Sequence, residues 1–333
     1  MFRPAARDGL TATRLVLPHD AASVARFATA WEFLAARFPD DVGRLAEKVD
    51  AGEVWDGRGL AVTLTTPYAP RGFVYIFRDP APEPEVPFDI PVLYRDDNLL
   101  VVDKPHFLAT TPRGAYVTRS VVVRLRRELG LPELSPAHRL DRVTAGVLVC
   151  TLRPDVRGAY QSLFDRRAVT KMYEALAPVR PGLVLPTRVR SRIVKLRGEI
   201  RAREVPVDAD HPVNAMTDVD LLSDESARSG PSAAGVLGRA AGSARSYADP
   251  LSAEPRGDGL GLYRLRPLTG KTHQLRLHMA SLGVPIVGDN FYPDFYDMSP
   301  EDYSRPLRLL ARSVEFTDPL SSRPRRFESA RMV

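Results

Sequence analysis

One cysteine, Cys150, stands alone among 333 residues, which excludes an internal disulfide and any zinc cage built on thiolates. It sits in the apolar run Val147-Leu148-Val149-Cys150, where a thiol packs as a small buried hydrophobe and not as a nucleophile. No stretch of about 18 apolar residues occurs, so no membrane-spanning helix is expected. The opening residues, Met1-Phe2-Arg3-Pro4-Ala5-Ala6-Arg7-Asp8, carry charge with no apolar segment behind it, unlike a secretory leader. Together these lacks predict a reduced, soluble, cytoplasmic protein without membrane contact. Histidine is scarce too: there are six, and His273 and His278, the one close pair, lie about 140° apart around a helix, too far to share a metal easily. Gly270-Lys271-Thr272 ends like a phosphate-binding loop, but Leu265 stands where that loop needs its first glycine. Asp96-Asp97 falls in turn chemistry, where carboxylates cap backbone. No metal and no nucleotide cofactor is expected.

What is present is an ordinary globular composition with a basic tilt. Hydrophobic residues make up 44% and charged residues 26%, which leaves no room for wholesale disorder. Lys and Arg number 47 against 41 Asp and Glu, a net charge of +6. The surplus is clustered. Arg113, Arg119, Arg124, Arg126 and Arg127 occur with no acid among them, and seven basic residues between Arg188 and Arg203 face one acid, Glu199. Seven more arginines lie from Arg305 onward, among Glu315, Asp318 and Glu328. One such cluster reads as a solvated face. Three in one arginine-dominated chain point to a polyanion, because guanidinium forks suit phosphate oxygens and supply salt-dependent affinity for nucleic acid.

Three pieces separate by composition. Residues 1–80 carry a helical pattern in Trp31, Phe33, Leu34 and Phe38, a break at Pro39, a second pattern in Val42, Leu45 and Val49, then β-prone runs such as Leu60–Leu64. Residues 81–89 lie in a stretch with four prolines in nine positions, Asp79–Pro87, a semi-rigid linker. Residues 90–333 open with a hairpin, Val92–Tyr94 and Leu99–Val102 around Arg95-Asp96-Asp97-Asn98. Helices are expected at Ser120–Leu129, through Val156, Tyr160, Leu163 and Phe164, and at His273–Leu282, closed by Gly283. Strands are expected at Val147–Thr151, Thr170–Val179 and Leu262–Leu268. Irregular alternation of this kind predicts an α+β fold around a mixed sheet, not a doubly wound one. Within it, 223–259 holds 24 small residues or prolines in 37 and reads as a flexible insertion.

The densest signal for chemistry is Ala137-His138-Arg139-Leu140-Asp141-Arg142-Val143-Thr144-Ala145-Gly146, directly before the strand at Val147. Asp141 lies between two arginines and near an imidazole. A guanidinium beside a carboxylate favours the ionised form, so Asp141 is expected to be an anion, a poor general acid but a usable nucleophile. Charge spacing alone also fits a surface ion-pair cluster.

The segment from His138 to Gly146 resembles the signature of the RluA-type pseudouridine synthases. Three more segments agree in order: Leu93–Pro105 with the family's opening hairpin, Lys171–Leu176 with its active-site tyrosine strand, and Pro267–His278 with its Thr-Gly-Arg-Thr-His-Gln block, completed by Gly283–Asp289. Ala145 replaces the usual serine and Lys271 the usual arginine. The resemblance covers about residues 90–320. It implies a largely antiparallel mixed sheet flanked by helices and an enzyme that isomerises uridine in ribosomal or transfer RNA, acting without cofactor and as a monomer. Asp141 is implied as nucleophile or base, Tyr173 as the residue stacked on the detached base, and Arg276 as the partner of the catalytic carboxylate. Arg139 is implied to insert into RNA where the target nucleotide flips out, with His138, Arg142, Thr144, Lys271 and His273 as further RNA contacts. Residues 1–80 faintly resemble a degenerate RNA-binding domain of ribosomal-protein type and equally fit a packing extension. A silent RNA-binding module on the same fold is the alternative to an enzyme. A two-metal nuclease lacks the clustered carboxylates it would need.

Overall fold

The computed structural model describes residues 2–77, 79–224, 259–299 and 301–333. Of the expected insertion at 223–259, residues 225–258 lie outside the described residues. The chain divides into two compact units. The first comprises residues up to Glu83 together with Arg113–Thr118 and Val123–Pro132, and the second holds the rest. No helix among the described residues is long and apolar enough to cross a membrane.

In the first unit, strand β1 (Thr13–Val16) precedes helices α1 (Ala21–Arg26), α2 (Ala30–Arg37) and α3 (Val42–Asp50), then β2 (Val54–Asp56) and β3 (Phe73–Ile76). The break at Pro39 is a short turn that begins on that proline, as its fixed φ and missing N–H favour. Thr29 and Glu32 form a reciprocal capping box that starts α2. The sheet order is β1-β3-β2, all antiparallel, and its core gathers Phe33, Leu34, Leu45, Val49, Val54 and Val74. The β-prone run Leu60–Leu64 makes only an isolated bridge, Ala61 to Trp55. The backbone there closes a turn instead: Thr63 N–H donates to Thr66 Oγ1 at 2.8 Å and Thr66 N–H to the Thr63 carbonyl at 3.2 Å.

The second unit is built on one mixed sheet. Its elements are β4 (Val92–Arg95), β5 (Leu99–Lys104), β6 (Ser135–Pro136), β7 (Ala145–Thr151), α5 (Arg157–Asp165), β8 (Val169–Pro178), β9 (Thr187–Val194), β10 (Arg203–Val205), β11 (Ala215–Asp224), β12 (Leu260–Pro267), α6 (Gln274–Ser281), β13 (Leu309–Thr317) and β14 (Pro324–Glu328). Helix α4 (Val121–Glu128) follows β5 in the chain. The strand order is β10-β9-β11-β12-β8-β13-β7-β5-β4, with β14 on β13 and β6 on β7. Every pairing is antiparallel except β13 with β7. This is the expected mixed, largely antiparallel sheet. β5 and β7 are buried along their whole length, so their apolar residues run consecutively, Leu99–Val102 and Val147–Cys150, and do not alternate. Cys150 lies in β7, buried and in no disulfide. The hairpin carboxylate Asp96 accepts the N–H groups of Asn98 and Leu99 at 2.9 and 2.7 Å, the capping its turn chemistry predicted.

The parallel pairing is made possible by a glycine. Gly146 has φ of +112°, and a Cβ there would sit 2.3 Å from the Ala311 carbonyl oxygen. Only the bare backbone lets β7 close against β13. In register across the sheet, Leu265 opposes Tyr173, Tyr173 opposes Ala311, Ala311 opposes Gly146, and Gly146 opposes Lys104. Directly opposed residues share a face. The small pair Ala311 and Gly146 therefore makes a low floor with Tyr173 on one side and Lys104 on the other.

Candidate active site

The loop that enters β7 carries Asp141 to the end of this row. Three polar side chains, one at the end of β5 and two from the segment after it, clamp its backbone. The Lys104 side chain, fully buried, donates to the carbonyls of Pro105, Leu108 and Arg142 at 2.9, 2.8 and 3.1 Å. Burial pushes its pKa well down, but three carbonyl acceptors require the three N–H groups that only the ammonium carries. Thr110 Oγ1 donates to the Leu140 carbonyl at 2.7 Å and accepts the Leu140 N–H at 3.2 Å. His106 Nδ1 meets the Val143 carbonyl at 2.7 Å. Burial lowers His106 to a pKa of about 3, so the ring is neutral and holds its proton on Nδ1, the nitrogen that must donate. The turn closes with Thr144 N–H on the Asp141 carbonyl at 3.1 Å. Every residue from Leu140 to Thr144 is thus pinned by its backbone.

The Asp141 side chain is left alone. It is half-buried, and among the described residues it has no hydrogen bond and no ion pair. Its charge reaches three neighbours. It favours the protonated forms of Lys104 and His273 against their burial, and it helps burial push the Tyr173 hydroxyl upward. Lys104, held protonated by its three carbonyls, is accordingly a buried cation near Asp141. The flanking arginines turn elsewhere: Arg142 points its guanidinium at the Phe107 carbonyl, 3.4 Å, and Arg139 is exposed, its side chain bonded to no described residue.

Arg276 does not pair with Asp141, the partner that the resemblance implied. It is buried in α6 and forks onto Asp289 at 2.8 and 2.5 Å. Asp289 Oδ1 also accepts the N–H groups of Phe291 and Tyr292 at 2.8 and 3.0 Å, and the Arg276 guanidinium lies 4.7 Å from the Phe291 ring. A guanidinium at this depth needs an equally buried counter-charge, and Asp289 is as enclosed as Arg276 while Asp141 is only half-buried. Arg276 therefore organises the loop after Asp289, which forms a wall of the site through His273. His273 Nδ1 lies 2.9 Å from the Tyr292 hydroxyl, and that hydroxyl donates to the Ala202 carbonyl at 2.7 Å. With the Tyr292 proton committed, His273 donates from Nδ1 and leaves Nε2 as an acceptor.

His138 is turned inward. Its Nε2 accepts the Val149 N–H at 3.1 Å, its ring stacks on Phe164 at 4.4 Å, and burial lowers it to about 3. It extends the β6–β7 ladder by one acceptor. Thr144 is buried. Lys271 is exposed, and its backbone N–H caps onto Gln274 Oε1 at 3.0 Å. Gln274 also accepts from Thr269 and donates to the Met216 carbonyl and Thr217 Oγ1, fixing the Thr269–Lys271 loop to β11. Lys171 reaches toward the Thr269 carbonyl, 3.4 Å, on β8, the strand that carries Tyr173.

Sequence reasoning missed Lys104, His106, Thr110 and Asp289 as site residues. A lysine and a histidine within four residues of the apolar run Leu99–Val102 were the available signal, since an ammonium at full burial must be satisfied by something.

A family model described as RNA pseudouridylate synthase matches residues 98–281, more than half of the chain. The chain belongs to this family of RNA-modifying isomerases. Among curated relatives it is similar to the dual-specificity RNA pseudouridine synthase RluA of Vibrio parahaemolyticus, 30% identical over 233 residues, 69% of this chain and 78% of that one. The RluA protein of Escherichia coli K12 is 29% identical over 227 residues, 68% of this chain and 85% of its own. These similarities make it an RluA-type synthase, an enzyme that converts uridine to pseudouridine. The solved structure of human RNA pseudouridylate synthase domain containing 1 shares the fold, with a TM-score of 0.50 and 24% identity over 75% of this chain and 86% of that one.

Proposed function

We propose that Asp141 is the catalytic carboxylate and that the substrate is a uridine flipped out of ribosomal or transfer RNA. The observation that carries this reading is the partner-free Asp141 side chain on a loop whose backbone is pinned on both sides of it. A carboxylate so placed spends no hydrogen bond on the protein and is presented to a substrate in one geometry. It acts at the ribose, as a nucleophile at C1′ or as a base on the sugar. The N1–C1′ bond breaks, the uracil turns, C5 bonds to C1′, C5 gives up its proton and N1 gains one, so no oxidant and no cofactor is consumed.

Tyr173 keeps its proton well above neutral pH, because its burial and the charge of Asp141 both oppose ionisation. It stacks on the freed base and donates a hydrogen bond or proton. Arg139, exposed beside Asp141, fills the space the flipped nucleotide leaves, and Lys271 and Arg142 contact phosphate. Arg276, His138, Thr144 and His273 act as positioning residues for the walls of the site. The protein works as a cytoplasmic monomer, and the first unit supplies additional RNA contacts. The RluA relatives are named for dual specificity, so both RNA classes belong in the test.

The test is pseudouridine formation in ribosomal and transfer RNA lacking the modification, by carbodiimide labelling and primer extension, with Asp141→Asn beside the wild type. New stops with wild type alone, at equal RNA affinity, support the assignment. Stops retained in Asp141→Asn refute it. RNA binding with no stop in either RNA class indicates the silent binding module.

A further inference from the structure

Phe107 has φ of +63°, in the left-handed region, and it is 1% exposed. A bulky residue there is a conformational outlier, whereas glycine takes the same backbone freely. Such strain persists only where the surroundings over-determine it, and it gathers at functional sites. Three aromatic rings meet here. The Phe107 ring lies 6.4 Å from Phe88, with planes 30° apart, and 5.3 Å from Tyr303, and those two lie 5.5 Å from each other. The Tyr303 hydroxyl donates to the Glu85 carbonyl at 3.0 Å, which ties the end of the proline-rich segment to the same cluster.

Phe107 also meets Arg142. The guanidinium lies 5.8 Å from the centre of the ring and points Nη1 at the Phe107 carbonyl, 3.4 Å. The segment after β5 therefore holds Arg142 twice, its backbone carbonyl on Lys104 at 3.1 Å and its side chain on Phe107. Around the left-handed residue the carbonyls are shared between two cations. Those of Pro105 and Leu108 face the Lys104 ammonium, and that of Phe107 faces the Arg142 guanidinium.

This matters because Arg142 directly follows Asp141, and both are half-buried. An arginine so placed has the reach to fold back onto the carboxylate, and partial burial weakens the screening that would loosen such a pair. Arg139, by contrast, is exposed, where water competes for its guanidinium. A carboxylate engaged by Arg142 would have to shed a charge-assisted hydrogen bond before it could act at a ribose. Asp141 nevertheless has no ion pair among the described residues.

We infer that Phe107 is a positioning residue for the isomerisation: its carbonyl and ring take the Arg142 guanidinium and keep it off Asp141, and Phe88 and Tyr303 hold that ring in place. The inference rests on the reading of Asp141 as the catalytic carboxylate and adds how the chain keeps that carboxylate unpaired.

The experiment measures tritium release from transfer and ribosomal RNA transcripts carrying uridine tritiated at C5. Pseudouridine formation frees the hydrogen at C5, so the count reports turnover. Wild type is compared with Phe107→Gly, Phe107→Leu and each of these combined with Arg142→Ala. Glycine keeps the left-handed backbone but removes the ring and loosens the carbonyl. Leucine keeps apolar volume and removes only the π face. The expected result is kcat about tenfold lower in Phe107→Gly and about threefold lower in Phe107→Leu, with KM within twofold. Removing the guanidinium as well should return kcat, so each double variant turns over faster than its Phe107 parent, although its KM rises for want of a phosphate contact. A merely structural defect at Phe107 would leave the double variant at least as slow as the single one. Should Phe107→Gly not fold, the leucine pair carries the same comparison. A wild-type kcat in the folded Phe107 variants overturns the inference, and so does a low kcat that Arg142→Ala fails to restore. Absence of release from the wild type, or full release from Asp141→Asn, would refute the isomerase reading itself, a separate failure.

Discussion

Replacing Lys104 with Met removes the ammonium while keeping nearly the same volume. The structure shows what is lost: three hydrogen bonds, to the carbonyls of Pro105, Leu108 and Arg142, from a side chain with no exposure. Leaving three enclosed acceptors unsatisfied costs about 1–3 kcal/mol each. Against this, the variant no longer has to hold a desolvated cation, which returns several kcal/mol. The net is a destabilisation of about 3 kcal/mol, or a fall in Tm of about 6–12 °C for a unit of this size. Activity should fall further than stability. Asp141 loses its cationic neighbour, and the clamp on the Arg142 carbonyl opens, so kcat should drop about a hundredfold at a temperature where the variant is fully folded. The assay pairs calorimetric melting with tritium release well below the variant's Tm. Thermal stability equal to wild type would refute the three-acceptor argument. A normal kcat in the folded variant would refute the electrostatic one.

Acid should destabilise the protein earlier than carboxylate titration requires. His106 and His138 are lowered to about 3 and His278 to about 4, all by burial. Between their unfolded value and those values the unfolded chain binds protons that the folded one does not, so stability falls as pH falls from about 6.5 toward 4, by about 1.4 kcal/mol per pH unit for each histidine. Urea midpoints at pH 7.5, 6 and 5 check this, and a midpoint constant over that range would contradict it. Within the arginine cluster of α4, Arg124 engages Glu128 and Arg126 reaches the Gly9 carbonyl, whereas the Arg127 side chain is exposed with no bond to a described residue. Arg127→Ala should reduce the salt dependence of RNA binding by about one phosphate contact, a slope change of about 0.7–0.9. An unaltered slope removes Arg127 from the footprint.

Much of the local structure was readable because local rules governed it. Pro39 separated two helices, Asp96 capped its turn, and the apolar spacing around Tyr160 marked α5. The run Leu60–Leu64 misled for a local reason as well, since threonine side chains offered its backbone a turn. The arginine count of the last segment overstated what is available to a polyanion. Arg312, Arg325 and Arg326 are taken up by Glu174, by Asp96 and Asp318, and by Glu315 and Glu328, and Arg331 by Asp103. Glu174, Asp96 and Asp103 lie more than a hundred positions from their arginines, so counting charges within a window could not find them.

The sequence by itself determined the family motifs, their order and the presence of an aspartate before a buried strand, because side-chain identity and spacing along the chain are what motifs consist of. Tertiary structure alone decided which charges meet. Arg276 could have served either Asp141 or Asp289, and the fold buries Asp289 beside it while leaving Asp141 half-exposed. Lys104 came to the Asp141 loop only through the pairing of β5 with β7, which sets Lys104 opposite Gly146 although many residues separate them in the chain. A buried charge is placed by whichever partners the fold brings within reach, and that proximity is a property of strand pairing and packing, not of sequence distance.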